Sequence, residues 1–168
     1  MPLSWIEQIN LHLPGQRNKY PQKPIVLVGV GNLLMGDDAA GILVIHELMT
    51  GLPAGSTLVP IDAGPAPENF TGQIRQLHPG LVIFVDAGKM EEPPGTIRLV
   101  TCREAEGVSA FGHTLPLSVL GGYLESELDC DCLLLVIQPQ VIEFDAQPTE
   151  KVLDAVKEIS RFFLNLNQ

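Results

Sequence analysis

Ile25-Val26-Leu27-Val28-Gly29-Val30-Gly31-Asn32-Leu33-Leu34-Met35-Gly36-Asp37-Asp38-Ala39-Ala40-Gly41 is the stretch that decides the fold. Residues 25–30 form a compact, β-branched apolar run, the pattern of a strand buried on both faces. A glycine-bearing connection follows, after which Ile42, Ile45 and Leu48 or Met49 recur at helical spacing. The reading is strand, loop, helix, the unit from which parallel sheets are built.

Working outward, residues 57–61 read as a second strand ending at Asp62, and 81–85 as a third ending at Asp86. A helix carrying Phe70, Ile74 and Leu77 lies between them. Pro93-Pro94-Gly95 makes a turn into a strand at 96–100, a helix spans about 115–124, and 133–137 is a last apolar strand. Thr149 stands where it would cap a final helix running to about Leu164. Strands alternating with helices imply an α/β domain, a mainly parallel sheet covered on both faces. This domain is expected over residues 24–168. Ahead of it, Ser4 and Glu7 form a capping box for a short amphipathic helix carrying Ile6, Ile9 and Leu13, which Pro14 and Gly15 should end. Residues 16–23 read as a polar linker.

Composition narrows the function. The 168 residues carry 20 Asp and Glu against 10 Lys and Arg, a net charge of -10, so no cationic surplus exists to displace counterions from nucleic acid. Three cysteines, Cys102, Cys130 and Cys132, form neither an even disulfide framework nor a paired zinc motif, which fits a reducing compartment, the cytoplasm. The N-terminal residues do not read as a secretion signal, and no apolar run approaches the roughly 20 residues of a membrane span.

In an open parallel sheet, chemistry gathers outside the carboxyl ends of the strands, where strand order reverses. If the first and third strands are neighbours, Asp38 and Asp86 face each other across one crevice. His113, in Gly112-His113-Thr114-Leu115-Pro116, lies in a later connection just before a helix and could lean over the same crevice. Each residue also has a plain structural role: Asp37 and Asp38 as helix caps, Asp86 as a strand terminus, His113 as a surface or capping residue. Asp62 either buttresses the crevice or ends its strand. His12, His46 and His78 lack comparable neighbours. Gly31, Asn32 and Gly41 suit a tight turn and close helix packing. Other motifs fail: Leu34 stands where a dinucleotide fingerprint needs its third glycine, and no Walker loop or G-x-S-x-G elbow exists. Cys130-Asp131-Cys132 reads as incidental.

The stretch from Gly29 to Gly41 resembles the opening motif of the hydrogenase maturation proteases, which remove a C-terminal extension from the large subunit of nickel-iron hydrogenases. Matches follow in order: Asp62-Ala63-Gly64-Pro65-Ala66-Pro67-Glu68-Asn69, Val85-Asp86-Ala87, Pro94-Gly95-Thr96-Ile97-Arg98, His113-Thr114-Leu115-Pro116-Leu117 and Ile137-Gln138-Pro139. The Ala-Pro-Glu-Asn, His-x-x-Pro-Leu and Ile-Gln-Pro segments are most similar to the hydrogenase 3 type. The resemblance implies a doubly wound three-layer sandwich of the phosphorylase/hydrolase-like kind, around a largely parallel, about five-stranded sheet. It places the family's metal-contacting carboxylate on Asp38, its strand-end aspartate on Asp86 and its histidine on His113, all three as catalytic and metal-contacting residues. It further implies a hydrogenase large-subunit precursor as partner, and nickel carried by that substrate in place of a tightly bound cofactor. Two carboxylates and an imidazole leave open positions on a borderline metal. Either the metal activates carbonyl or water with a carboxylate as base, or two close carboxylates share a proton as in aspartic proteases, nickel serving for recognition. The competing functions are a non-cleaving binder of the nickel-bearing precursor and a nucleotide-binding oxidoreductase.

Overall fold

A computed structural model describes residues 1–19, 23–107, 109–110 and 116–166. The elements run α1 (Trp5–Lys19), β1 (Ile25–Val30), α2 (Ala40–Gly51), β2 (Leu58–Gly64), α3 (Thr71–Leu77), β3 (Leu81–Lys89), β4 (Ile97–Thr101), β5 (Ser109–Ala110), α4 (Leu117–Leu128), β6 (Asp131–Ile137) and α5 (Glu150–Asn165). Short 3-10 turns at Gly36–Ala39, Pro67–Phe70 and Glu104–Gly107 precede α2, α3 and β5.

The sheet has the order β2-β1-β3-β6-β4. β1 pairs in parallel with both β2 and β3, and β3 with β6, while β4 closes the edge antiparallel to β6. The two-residue β5 adds an antiparallel pair against Gly88 and Lys89. β1 and β3 are therefore neighbours, as the crevice argument required, and strand order reverses between them.

Alternation along the strands separates two cores. Leu27, Ile83, Val85, Leu133, Leu135 and Ile137 pack under α1, α2 and α5. Val26, Val28, Val82, Phe84, Leu134 and Val136 pack under α3 and α4. Helices cover both faces because every central strand is apolar on both sides.

Several element ends differ from the sequence reading. α1 continues past Pro14 and Gly15 to Lys19. A proline within a helix forfeits the bond to the carbonyl four residues back and crowds it, but α1 is anchored ahead of that point by Trp5, Ile9 and Leu13, buried in the core shared with α5. The Trp5 indole donates to Glu158 at 2.9 Å and its ring meets Phe162 edge-on, so α1 docks on the domain. The capping box forms as expected: Glu7 Oε2 accepts from the Ser4 amide at 2.7 Å, and the Glu7 amide donates to Ser4 Oγ at 3.3 Å. β2 and β3 outrun their expected ends, so Asp62 and Asp86 lie inside strands. β3 is prolonged because β6 and then β5 keep its far half paired. No helix among the described residues is long and apolar enough to cross a membrane.

Candidate active site

The site begins where β1 ends. Gly31 adopts φ +144, and a Cβ there would collide with the Asp38 carbonyl, so only glycine lets the chain fold back this tightly. The loop closes on itself: the Asn32 amide donates to Asp38 O at 3.2 Å, Asn32 Oδ1 accepts from the Leu34 amide at 2.9 Å, and the Asp38 amide donates to Met35 O at 3.2 Å. Gly41, in the first turn of α2, presses bare backbone on the sheet; a Cβ there would strike the carbonyls of Val85 and Val30. The helix thus starts directly over the β1–β3 junction, with the Gly36–Ala39 turn and its Asp38 beside β3.

Asp86 sits at the matching position on β3. Pairing between β1 and β3 runs from Ile25↔Leu81 to Gly29↔Val85, whereas pairing between β3 and β6 continues through Asp86↔Val136. From Asp86 onward, then, β3 keeps its pairing with β6 while its pairing with β1 has ended at Val85. Asp38 and Asp86 are 4% and 2% exposed. Burying two carboxylates at one sheet end is costly, a cost proteins usually retain at functional sites. Asp38 also lies at the positive end of α2.

Of the predicted trio, the structure brings the Asp38 turn and Asp86 to one sheet end, while His113 lies outside the described residues. Those residues resume at Pro116, and Leu117, at the start of α4, is buried in the same layer as Val136, the partner of Asp86. Among the described residues, no group of three or more His, Cys, Asp or Glu is arranged to hold a metal ion.

Asp37 is not a helix cap. It is fully buried, and its Oδ2 accepts from the amides of Gln140 and Val141 at 2.7 and 2.9 Å. Its Oδ1 accepts from the Thr149 amide at 2.6 Å, and the Thr149 hydroxyl reaches both oxygens at 3.0 Å. Thr149 does stand at the N-cap position of α5, but its hydroxyl serves Asp37 and no helix amide. Gln138 was missed as a bonding centre: its Oε1 accepts from the amides of Met90 and Glu92 at 2.7 and 3.3 Å. Asp62 pairs with His46 at 2.7 Å and accepts from the Gly64 amide, tying α2 to β2. With both side chains well exposed, this pair is worth at most about 1 kcal/mol. The three cysteines pack in the α4-side core. Hydrogen bonds with Cys102 and then Cys130, together with burial, push the Cys132 thiol far above the usual range, leaving it chemically quiet.

The family model for the HycI hydrogenase maturation protease matches residues 42–165. The chain belongs to the hydrogenase maturation proteases. The protease is 38% identical to the hydrogenase 3 maturation protease of Escherichia coli K12 over 135 residues, 80% of this chain and 85% of that one. Among solved structures, it resembles the nickel-iron hydrogenase maturation protease HycI of Thermococcus kodakarensis, with a TM-score of 0.80 and 25% identity, covering 91% of this chain and 97% of that one. The solution structure of the endopeptidase HycI from E. coli matches with a TM-score of 0.74 and 34% identity, over 82% and 87% of the two chains. The protein is therefore a peptidase with the doubly wound α/β fold expected from its sequence. Asp86 falls within the stretch matched by the family model, and Asp38 lies just ahead of it.

Proposed function

We propose that this protease removes a C-terminal extension from the precursor of a nickel-iron hydrogenase large subunit after nickel insertion, with Asp38, Asp86 and His113 meeting the metal-bearing segment. The observation that supports the reading is the burial of two aspartates at the sheet end beside the β1–β3 junction, in a chain of this family. The nickel belongs to the substrate, where thiolates of the precursor hold it. Asp38, on the turn ahead of α2, and Asp86, on β3, supply hard oxygen donors, and His113 supplies the imidazole.

Cleavage needs a base for the attacking water and a donor for the leaving amine. A carboxylate beside the scissile bond fills the first role and, once protonated, the second. The rigid seating of the Asp38 turn, through Gly31 and Gly41, supports a geometry held ready before substrate arrives. The reading puts the reaction in the cytoplasm, in keeping with three buried free thiols.

The test is the intact mass of a precursor co-expressed with the protease, in cells grown with and without nickel. The expected result is a shortened large subunit plus released peptide with nickel, and a full-length precursor without it. A precursor left whole under both conditions would defeat the reading, and equal trimming without nickel would defeat its metal-gated part.

A further inference from the structure

The segment 138–149, between β6 and α5, bridges the two elements that carry the aspartates. At one end, Gln138 accepts the amides of Met90 and Glu92, just beyond the end of β3. At the other, Asp37 gathers Gln140, Val141 and Thr149. The turn returns the contact, its Asp37 amide donating to Val141 O at 2.8 Å, and the segment adds a bond from the Asp145 amide to Leu34 O, just ahead of the turn, at 2.8 Å. Gly36, at φ +58, lies so close to Val141 that a Cβ would meet its carbonyl. The buried Asp37 carboxylate is the hub of this brace, receiving three backbone amides and one hydroxyl.

We propose that Asp37 is a positioning residue for peptide cleavage. By fastening 138–149 to the Gly36–Ala39 turn, it holds the neighbouring Asp38 in register with Asp86 across the crevice. The inference rests on the role given to Asp38 above. Isolated as a stability device, one such cluster has no need to join both carboxylate-bearing elements; here Gln138 secures the β3 side and Asp37 the turn side. Asp37 touches no substrate and acts through Asp38.

The experiment uses the full chain and a nickel-loaded precursor, with single-turnover rates and KM measured well below the melting temperature of each variant. Asp37→Asn keeps the shape but turns an amide donor toward backbone donors. It is expected to lower the cleavage rate about tenfold or more, with KM within about twofold, because small misplacements of a reacting group act on the rate. Thr149→Val removes the hydroxyl alone and should slow cleavage by a smaller factor, whereas Thr149→Ser should restore the wild-type rate. If Asp37→Asn does not fold, the Thr149 pair decides. A lowered melting temperature with an unchanged rate per folded molecule, or equal rates for Thr149→Val and Thr149→Ser, overturns the proposal. A wild-type chain that leaves the precursor whole sinks the underlying reading instead, so the two failures are distinguishable.

Discussion

Gly41 shows how a single residue sets the site. Its missing Cβ is what allows α2 to begin in contact with the Val85 and Val30 carbonyls, one residue from Asp86 on β3 and three from Asp38 on the turn. Gly41→Ala is expected to destabilise the fold by about 1–3 kcal/mol, the usual range for overpacking a filled site, and to slow cleavage by lifting the helix start. A thermal melt paired with a cleavage rate checks both; an unchanged melt would mean that the helix shifts freely. At this same scale, with His113 outside the described residues, the placing of Asp38 beside the start of α2 and of Asp86 on β3 was legible, because both are local sequence features. The work of Asp37 was not. Its partners Gln140, Val141 and Thr149 are more than a hundred positions away, and they contribute backbone amides that no side-chain pattern advertises.

Among the elements, α1 carries its own pH signature. The Ser4 amide, and then the Ser4 hydroxyl, hold the exposed Glu7 carboxyl below its ordinary range. A lowered folded value means the cap is fully present above the ordinary carboxylate range and is lost as pH falls through the folded value. Amide protection factors in the first turn of α1, with the intrinsic base-catalysed rate divided out, should therefore fall on acidification from about pH 6 to about pH 3 in the wild type and stay nearly level in Glu7→Gln. Matching pH profiles in both proteins would remove the cap from the account. The start of α1 was readable because a capping box is a four-residue pattern. Its end was misread because a proline signals a break without revealing how firmly the preceding turns are anchored, here by Trp5 and Ile9 against α5. β3 was underestimated for a similar reason: β6 and β5, distant in the chain, keep it extended past Asp86.

Taken whole, the molecule sets its larger apolar layer apart from the sheet end where the proposed site lies. The layer of α1, α2 and α5 buries Trp5, Ile45 and Phe163, while Asp38 and Asp86 lie at the sheet end beside the β1–β3 junction. Trp5→Ala is expected to cost about 3–5 kcal/mol, near the upper reach for loss of a large buried aromatic, and to leave the cleavage rate per folded molecule unchanged. Denaturant unfolding with a parallel cleavage assay checks the separation; a rate falling in step with stability would contradict it. The overall architecture was legible because apolar strands alternating with amphipathic helices admit few arrangements, while the order of β1 and β3, the antiparallel pairing of β4 and the short β5 had to be supplied by the structure. That order brings the Asp38 turn and Asp86 to one sheet end. The most direct test of its purpose is the intact mass of a nickel-loaded precursor incubated with wild-type, Asp38→Asn or Asp86→Asn protease, each confirmed folded by an unchanged melt. The account predicts a shortened large subunit and a free C-terminal peptide with wild type only; release of the same peptide at the wild-type rate by either variant would contradict it.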